Sequence, residues 1–302
     1  MTSEQETSRL FRLLSQDLAA LGTGIDFEIP STLTTKHMPG YASVGIIKDP
    51  KAQFGHSRFL WESRVACKPV FEALYNTDDF ITSFDSAGVF PNWGHPDIGR
   101  KSRTKDIWLH VDQGHASLGD GRRCVQGVLN LLDSNTRTGG FVACPGSHLD
   151  FPTFMANRPR NKNFVTLDQN AEDIKALIQK KPPVFVEAPA GSMILWDSRT
   201  IHSNSPAVGS APPIPPLQAL PSVLRAVAYV CLLPRSCDTP ESAAARIEFV
   251  KQGTTTSHCP ILPHMKVERL LYPRHKSLHP ITGSAGLSPV DVLRTVEYLD
   301  LL

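Results

Sequence analysis

Histidine and aspartate recur together in this chain as three His-x-Asp triplets. Residues i and i+2 of a β-strand point to the same side, so such a triplet can offer an imidazole and a carboxylate to one metal ion. Two imidazoles and one carboxylate on one face of Fe(II) leave three coordination positions open, which suits a bidentate co-substrate and O₂. The chemistry that such a set could carry is oxidation at a non-haem iron ion. The triplets are His95-Pro96-Asp97, His110-Val111-Asp112 and His148-Leu149-Asp150.

The sequence around each triplet separates the three. His95 lies in PNWGHPDIG, whose proline and glycine content is typical of a loop, and His148 follows the turn sequence PGS. Only the middle triplet lies inside a strand-like run, IWLHVDQ, in which Trp108, His110 and Asp112 share one face. We therefore take His110 and Asp112 as candidate metal ligands. The alternative is a hydrogen-bonded histidine–aspartate pair in a core.

A third ligand and an anion-binding residue are expected further along the chain. His202 follows the strong strand pattern of GSMILWDSRTIHSNSP, and Arg225 opens the run RAVAYVCLL. An arginine there could hold a carboxylate of 2-oxoglutarate through two hydrogen bonds, which a lysine could not match; the alternative is a structural salt bridge. Gln126 and Asn130 share one face of another strand-like run and could line a pocket, or they could belong to a solvated sheet face.

Short apolar runs between residues 80 and 233 are the elements that must position these side chains. Seven runs separated by turn residues indicate an antiparallel sandwich or barrel. Leucine spacing predicts a helix over 3–21. Residues 57–75 look like a second helix, which Pro69 could kink or split. The proline-rich stretch 206–222 reads as an extended loop, and a single domain over 1–302 is the better interpretation. The remaining helices are expected at 171–180, 238–252 and 289–302. The strand-like runs are 80–85, 107–112, 124–133, 139–144, 183–189, 192–198 and 225–233.

Composition excludes several other classes of protein. The 31 Lys and Arg against 29 Asp and Glu give a net charge of +2, which favours neither nucleic acid nor an anionic membrane. No apolar run is long enough to span a bilayer, and the polar start does not resemble a signal peptide. The six cysteines form no C-x-x-C pair and are expected to be buried free thiols, so we expect a cytoplasmic protein. No feature of the sequence indicates an oligomeric state.

The order of these motifs resembles the phytanoyl-CoA dioxygenase-like family of Fe(II)/2-oxoglutarate oxygenases. The similarity covers roughly residues 80–233 and depends on H-x-D, GGFVACPGSH, WDSRTIHSN and the arginine that opens a strand. It implies a mainly β fold: a double-stranded β-helix (jelly-roll, cupin-like) core with helical extensions at both ends, the N-terminal helices packed on one sheet. It also implies that His110, Asp112 and His202 bind Fe(II), that Arg225 anchors 2-oxoglutarate and that Asn204 lies beside it. The gap of 23 residues from His202 to Arg225 is longer than usual in the family, and the 206–222 loop accounts for the excess.

The resemblance implies a dioxygenase that hydroxylates or otherwise oxidises a C–H bond of a small molecule, with release of succinate and CO₂. Asp112 is present where halogenating relatives have a small residue, which favours hydroxylation or a related oxidation. The alternatives are a cupin-like metalloenzyme that does not use 2-oxoglutarate and a catalytically silent binding protein. Substrate contacts are expected from the variable segments 30–57, 86–105, 150–170 and 206–222. Five further histidines are expected to be exposed: His115, His258, His264, His275 and His279.

Overall fold

The fold is seen in a computed structural model, which describes residues 2–40, 43–49, 51–207, 221–261, 279–281, 288–292 and 294–302. Residues 208–220 of the proline-rich loop, and with them the structure of that loop, lie outside the described ranges, as do His264 and His275. The helices are α1 Glu4–Ala20, α2 Arg58–Tyr75, α3 Phe151–Met155, α4 Glu172–Lys180, α5 Pro240–Gln252, α6 Pro289–Val292 and α7 Val296–Leu299. The strands are β1 Phe80–Thr82, β2 Ala87–Pro91, β3 His110–Val111, β4 Val125–Asn130, β5 Gly140–Ala143, β6 Val165–Thr166, β7 Val184–Val186, β8 Met193–Asp197, β9 His202–Ser205, β10 Val223–Val230 and β11 Leu232–Pro234.

The two N-terminal helices begin at serine caps, as their sequences allow. Ser3 Oγ accepts the Glu6 N–H at 3.1 Å, and Ser57 Oγ accepts the Leu60 N–H at 3.2 Å. The leucine face of α1 packs against α2, and Asp17 of α1 accepts the Phe59 N–H of α2 at 2.8 Å. Helix α2 continues through Pro69 to Tyr75, so the sequence-based expectation of one helix there is confirmed without a split.

Antiparallel strands form a four-stranded sheet in the order β2-β10-β4-β8. Alternate residues of β10 face opposite ways. Ala226, Ala228 and Val230 share the main hydrophobic core with α1 and α2. Arg225 and Tyr229 face the opposite side of the sheet, and the candidate metal centre described below lies on that side.

A five-stranded sheet, in the order β6-β3-β9-β5-β7, lies across from the first. Phe141 of this sheet and Trp196 of the other have ring centroids 4.6 Å apart, so the inner faces meet. The outer face is covered by a separate apolar cluster that includes residues of α3 and α4. The molecule is therefore layered, with N-terminal helices, two facing sheets and a second helical cover.

The expected mainly β, jelly-roll-like core with N-terminal helices on one sheet is confirmed. The run 107–112 forms a strand only at His110–Val111, and β2, β6 and β9 were not among the expected strands. Their sequences gave weaker patterns because β6 has two residues and β9, HSNS, is polar. Cys237 is exposed, whereas the other five cysteines are buried free thiols as expected. Within the described ranges, no helix has the length and apolar character needed to cross a bilayer.

Candidate metal centre

His110, Asp112 and His202 converge on one point between the two sheets, where one ligand atom of each lies within 4.8 Å of the others. His110 and His202 are directly paired across the antiparallel strands β3 and β9, and Asp112 follows the end of β3. Nε2 of His202 lies 3.3 Å from one carboxylate oxygen of Asp112, and Nε2 of His110 lies 3.9 Å from the other. The other two His-x-Asp triplets contribute no residue to this cluster.

Both histidines are oriented by hydrogen bonds to backbone carbonyls two residues before them. Nδ1 of His110 lies 3.1 Å from the Trp108 carbonyl, and Nδ1 of His202 lies 2.8 Å from the Thr200 carbonyl. A carbonyl oxygen only accepts, so Nδ1 must carry the proton and Nε2 must present a lone pair. This is the arrangement that orients and fixes the tautomer of histidine ligands in metal sites.

The electrostatics of the cluster also suit a cation. Burial, with a smaller contribution from His202, lowers the pKa of His110 to about 3, so its imidazole is neutral. Burial alone would raise the pKa of Asp112, but the imidazoles of His258, His110 and His202 hold it well below its usual range. The cluster thus offers two sets of imidazole lone pairs and one negative charge.

Two further side chains hold Asp112, and one of them corrects an expectation. Gln126 donates from Nε2 to Oδ2 of Asp112 at 3.0 Å. Nε2 of His258 lies 2.7 Å from the backbone carbonyl of Asp112, and its Nδ1 lies 4.0 Å from Oδ2. The expectation that His258 is exposed is wrong, since only 11% of its side chain is accessible. Thr255 and Thr256, which precede His258 in the sequence, suggested an exposed segment. Their hydroxyls instead accept hydrogen bonds from the backbone N–H groups of Gly55 and Phe84.

Arg225 lies on the inner face of β10 and is fully buried. Its Nη1 donates to Oδ1 of Asn204 at 2.8 Å, and its guanidinium lies 4.7 Å from the centre of the Phe90 ring. Nε and Nη2 have no hydrogen-bond partner among the residues that the structure describes. Burial lowers the pKa of Arg225 to about 10, which still leaves the group charged at neutral pH. A buried cation with two unused donors is suited to a carboxylate.

The pocket over the cluster has a strongly aromatic wall. The ring of Trp108 stacks on His110 with centroids 4.3 Å apart and planes 7° apart, and Phe164 lies 4.8 Å from the same imidazole. Phe164 is 44% exposed, which places it at the mouth. Trp108 and Trp196 both line the pocket.

Lys48 and Asp85 supply an ion pair in the same wall, with Nζ and Oδ1 3.0 Å apart. Lys48 and Phe164 come from two of the segments expected to contact substrate, whereas nothing in the sequence indicated Asp85.

Asn204 and Gln126, two of the predicted site residues, line the pocket. Asn130 lies on the same buried face but is not among the lining residues, and it donates to the Ser192 carbonyl at 3.3 Å.

Comparison with known proteins identifies the family. Residues 60–212 match the family described as phytanoyl-CoA dioxygenase. A curated relative, the Ava biosynthesis cluster protein O of Aspergillus versicolor, is 26% identical over 263 residues, covering 82% of this chain and 76% of the relative. A putative phytanoyl-CoA dioxygenase of Dictyostelium discoideum is 23% identical over 162 residues, covering 45% of each chain. Among solved structures, the non-haem α-ketoglutarate-dependent carbocyclase SnoK from nogalamycin biosynthesis is similar, with a TM-score of 0.48 and 19% identity over 78% of this chain and 77% of that one.

The match covers half of the chain and includes His110, Asp112 and His202 but ends before Arg225. The cluster of two histidines and one aspartate is the ligand set typical of non-haem Fe(II) oxygenases. The chain therefore belongs to the phytanoyl-CoA dioxygenase family of non-haem oxygenases, which use Fe(II) and 2-oxoglutarate.

Proposed function

We propose that His110, Asp112 and His202 hold Fe(II), and that Arg225 and Asn204 hold the distal carboxylate of 2-oxoglutarate. The observation that carries the proposal is the orientation of the two imidazoles: each Nδ1 is committed to a carbonyl, and each Nε2 faces the carboxylate of Asp112. A histidine–aspartate pair that served only packing would not need two imidazoles turned toward the same carboxylate with their lone pairs.

The residues also fit 2-oxoglutarate. Arg225 lies directly behind Asn204, which lines the pocket, and its two unused donors have no carboxylate of this chain to pair with among the described residues. Asn204 binds Arg225 through Oδ1 and the Tyr229 hydroxyl through Nδ2 at 3.1 Å, so its amide cannot flip without losing both bonds. The pair therefore presents a fixed cation for the carboxylate that the metal does not bind.

The reaction we propose oxidises a C–H bond of a small molecule. When bound, the iron and 2-oxoglutarate supply the oxidising chemistry, in which one O₂ and one 2-oxoglutarate are consumed and the oxidised substrate, succinate and CO₂ are released. The protein positions the substrate between the rings of Trp108 and Phe164 and the Lys48–Asp85 ion pair. Since those two charges neutralise each other, the wall favours a substrate with an apolar or aromatic body that is not itself strongly charged.

We further propose that residues 1–302 act as one domain. Leucines of α1, strand β10 and the final residues Leu301 and Leu302 belong to the same hydrophobic core. Removing any of these segments would expose apolar surface that the others bury.

Two alternative functions make different demands on these residues. A cupin-like metalloenzyme without 2-oxoglutarate would need the three metal ligands but not a buried arginine without a counter-ion. A catalytically silent binding protein would need neither set. The unused donors of Arg225 favour the oxygenase over both.

Anaerobic titration tests the proposal. Fe(II) followed by 2-oxoglutarate should produce a visible charge-transfer band in the wild-type protein, and no band in His110→Ala. If the wild type binds Fe(II) but gives no band with 2-oxoglutarate, the metalloenzyme alternative replaces the oxygenase. If it binds no Fe(II), the metal site itself is refuted.

A further inference from the structure

Asp112 is the one metal-ligand candidate that lies outside a strand. Strand β3 ends at Val111, and the backbone N–H of Asp112 donates to the Ser198 carbonyl at 3.3 Å, a long hydrogen bond. On the other side of the residue, His258 Nε2 lies 2.7 Å from the Asp112 carbonyl oxygen. The shorter of the two bonds that fix the Asp112 backbone therefore comes from a residue 146 positions away in the sequence.

From this geometry we propose that His258 is a positioning residue for the metal carboxylate. The proposal rests on the function proposed above, because it assumes that Asp112 binds iron. The Asp112 carbonyl can only accept, so Nε2 of His258 carries the proton and donates it. Nδ1 then faces the pocket 4.0 Å from Oδ2, and together with Gln126 at 3.0 Å it limits where that oxygen can lie.

The segment that carries His258 is held firmly against the core. The Thr255 and Thr256 hydroxyls accept the backbone N–H groups of Gly55 at 3.0 Å and Phe84 at 2.8 Å. The Thr256 N–H donates to the Phe84 carbonyl at 2.9 Å, and the following Cys259 is buried. A side chain on such a segment can fix its partner, since its own position costs little further entropy when the metal binds.

His258 also lies outside the part of the chain that matches the family, residues 60–212. It reaches the site after α5, a helix that follows all strands of both sheets. The C-terminal region therefore contributes to the metal site of this protein through the orientation of a ligand, and not only through packing.

The test uses His258→Gln and His258→Ala in the full-length protein. The amide of glutamine places an N–H close to the position of Nε2, so this variant should keep the bond to the Asp112 carbonyl, whereas alanine removes it. We expect His258→Ala to bind Fe(II) about tenfold or more weakly, as is usual when a partner of a metal ligand is lost, and His258→Gln to stay close to the wild type.

The second readout is the visible spectrum of Co(II) bound in place of iron, because its bands report ligand geometry. These bands should shift in His258→Ala and be restored in His258→Gln, an effect that general destabilisation would not produce. His279→Ala is the matched control, since His279 is an exposed histidine of the same region and should change neither readout.

The outcomes separate this inference from the proposed function. Unchanged Fe(II) affinity and Co(II) spectrum in His258→Ala overturn it, as does an equal loss in the alanine and glutamine variants. If His258→Ala does not fold, His258→Leu, which fills the space without donating, takes its place in the same comparison. A wild-type protein that binds neither metal refutes the proposed function instead.

Discussion

The two ends of the site differ in how far the chain itself satisfies their polar atoms. At the metal end, both imidazole Nδ1 atoms, the Asp112 carbonyl and one carboxylate oxygen have partners within the protein. At the arginine end, Arg225 has one partner, Asn204, and two nitrogens without any among the described residues. The metal end is thus organised by the protein alone, whereas the arginine end has a charge without a counter-ion among the described residues.

The difference follows from the chemistry of each ligand. A metal ion needs lone pairs in a fixed geometry, so its ligands must be held by other groups. A carboxylate brings its own acceptors, so the arginine that binds it must keep its donors unused. Retaining a buried cation without a counter-ion costs stability, and this cost is offset only when the anion arrives.

The largest effect should come from removing the charged metal ligand. Asp112→Ala should weaken Fe(II) binding by more than about 100-fold, because the loss of a mere partner of a ligand already costs about 10- to 100-fold. Anaerobic competition against a chromophoric chelator measures it. Asp97→Ala is the matched control, since Asp97 belongs to another His-x-Asp triplet and its side chain is 56% exposed. If Asp97→Ala weakened Fe(II) binding as much as Asp112→Ala, the assignment of the metal site to the His110 triplet would be wrong.

The arginine end should respond separately. Arg225→Met should weaken 2-oxoglutarate binding to the Fe(II)-loaded protein by about 10- to 100-fold, from the loss of charged hydrogen bonds worth about 1.5–3 kcal/mol. Fe(II) affinity should not change. Arg199→Met is the control, because Arg199 already pairs with Asp197 at 2.7 Å. A parallel loss of iron and 2-oxoglutarate binding in Arg225→Met would contradict the independence of the two ends.

A smaller change is expected from Gln126→Leu, which removes the donor to Asp112 Oδ2. Fe(II) affinity should fall about tenfold, in the range usual for a partner of a metal ligand. Asn130→Leu changes a buried amide of the same strand face that bonds to the Ser192 carbonyl instead, so Fe(II) affinity should be unaffected. If Asn130→Leu weakens binding as much as Gln126→Leu, Gln126 has no special role at the metal end.

The smallest effect should be that of Asn204→Ala. It releases Nη1 of Arg225 and leaves the cation charged but less well oriented. We expect a fivefold to tenfold loss of 2-oxoglutarate affinity, corresponding to about 1–1.4 kcal/mol for one hydrogen bond. Calorimetric titration of the Fe(II)-loaded protein measures this. An unchanged affinity would mean that the backbone of β10 alone orients Arg225.

The sequence predicted the parts of the site whose residues carry a local pattern. The strand context singled out His110 and Asp112 among three triplets, and the structure brings them together with His202. Gln126, on an alternating run, does line the pocket. Alternation predicted which face a residue takes, but not how far along that face the pocket extends, and Asn130 lies beyond it.

The residues that sequence reasoning missed are those whose role depends on long-range packing. His258 and Asp85 reach the pocket from outside the two sheets, and their neighbours in the sequence give no periodicity that points inward. Threonine-rich sequence before His258 read as exposed because its hydroxyls can bond to water, and only the fold shows that they bond to Gly55 and Phe84.

The described residues that line the pocket come from widely separated parts of the chain, from Ile46 to His258. A shortened protein limited to residues 60–212, the stretch that matches the family, would keep all three candidate metal ligands while lacking Lys48, Arg225 and His258. Transplanting that stretch into another member of the family would carry over the three candidate metal ligands but not Lys48, Arg225 and His258. A chimera that is meant to keep the pocket intact must therefore include residues 46–258.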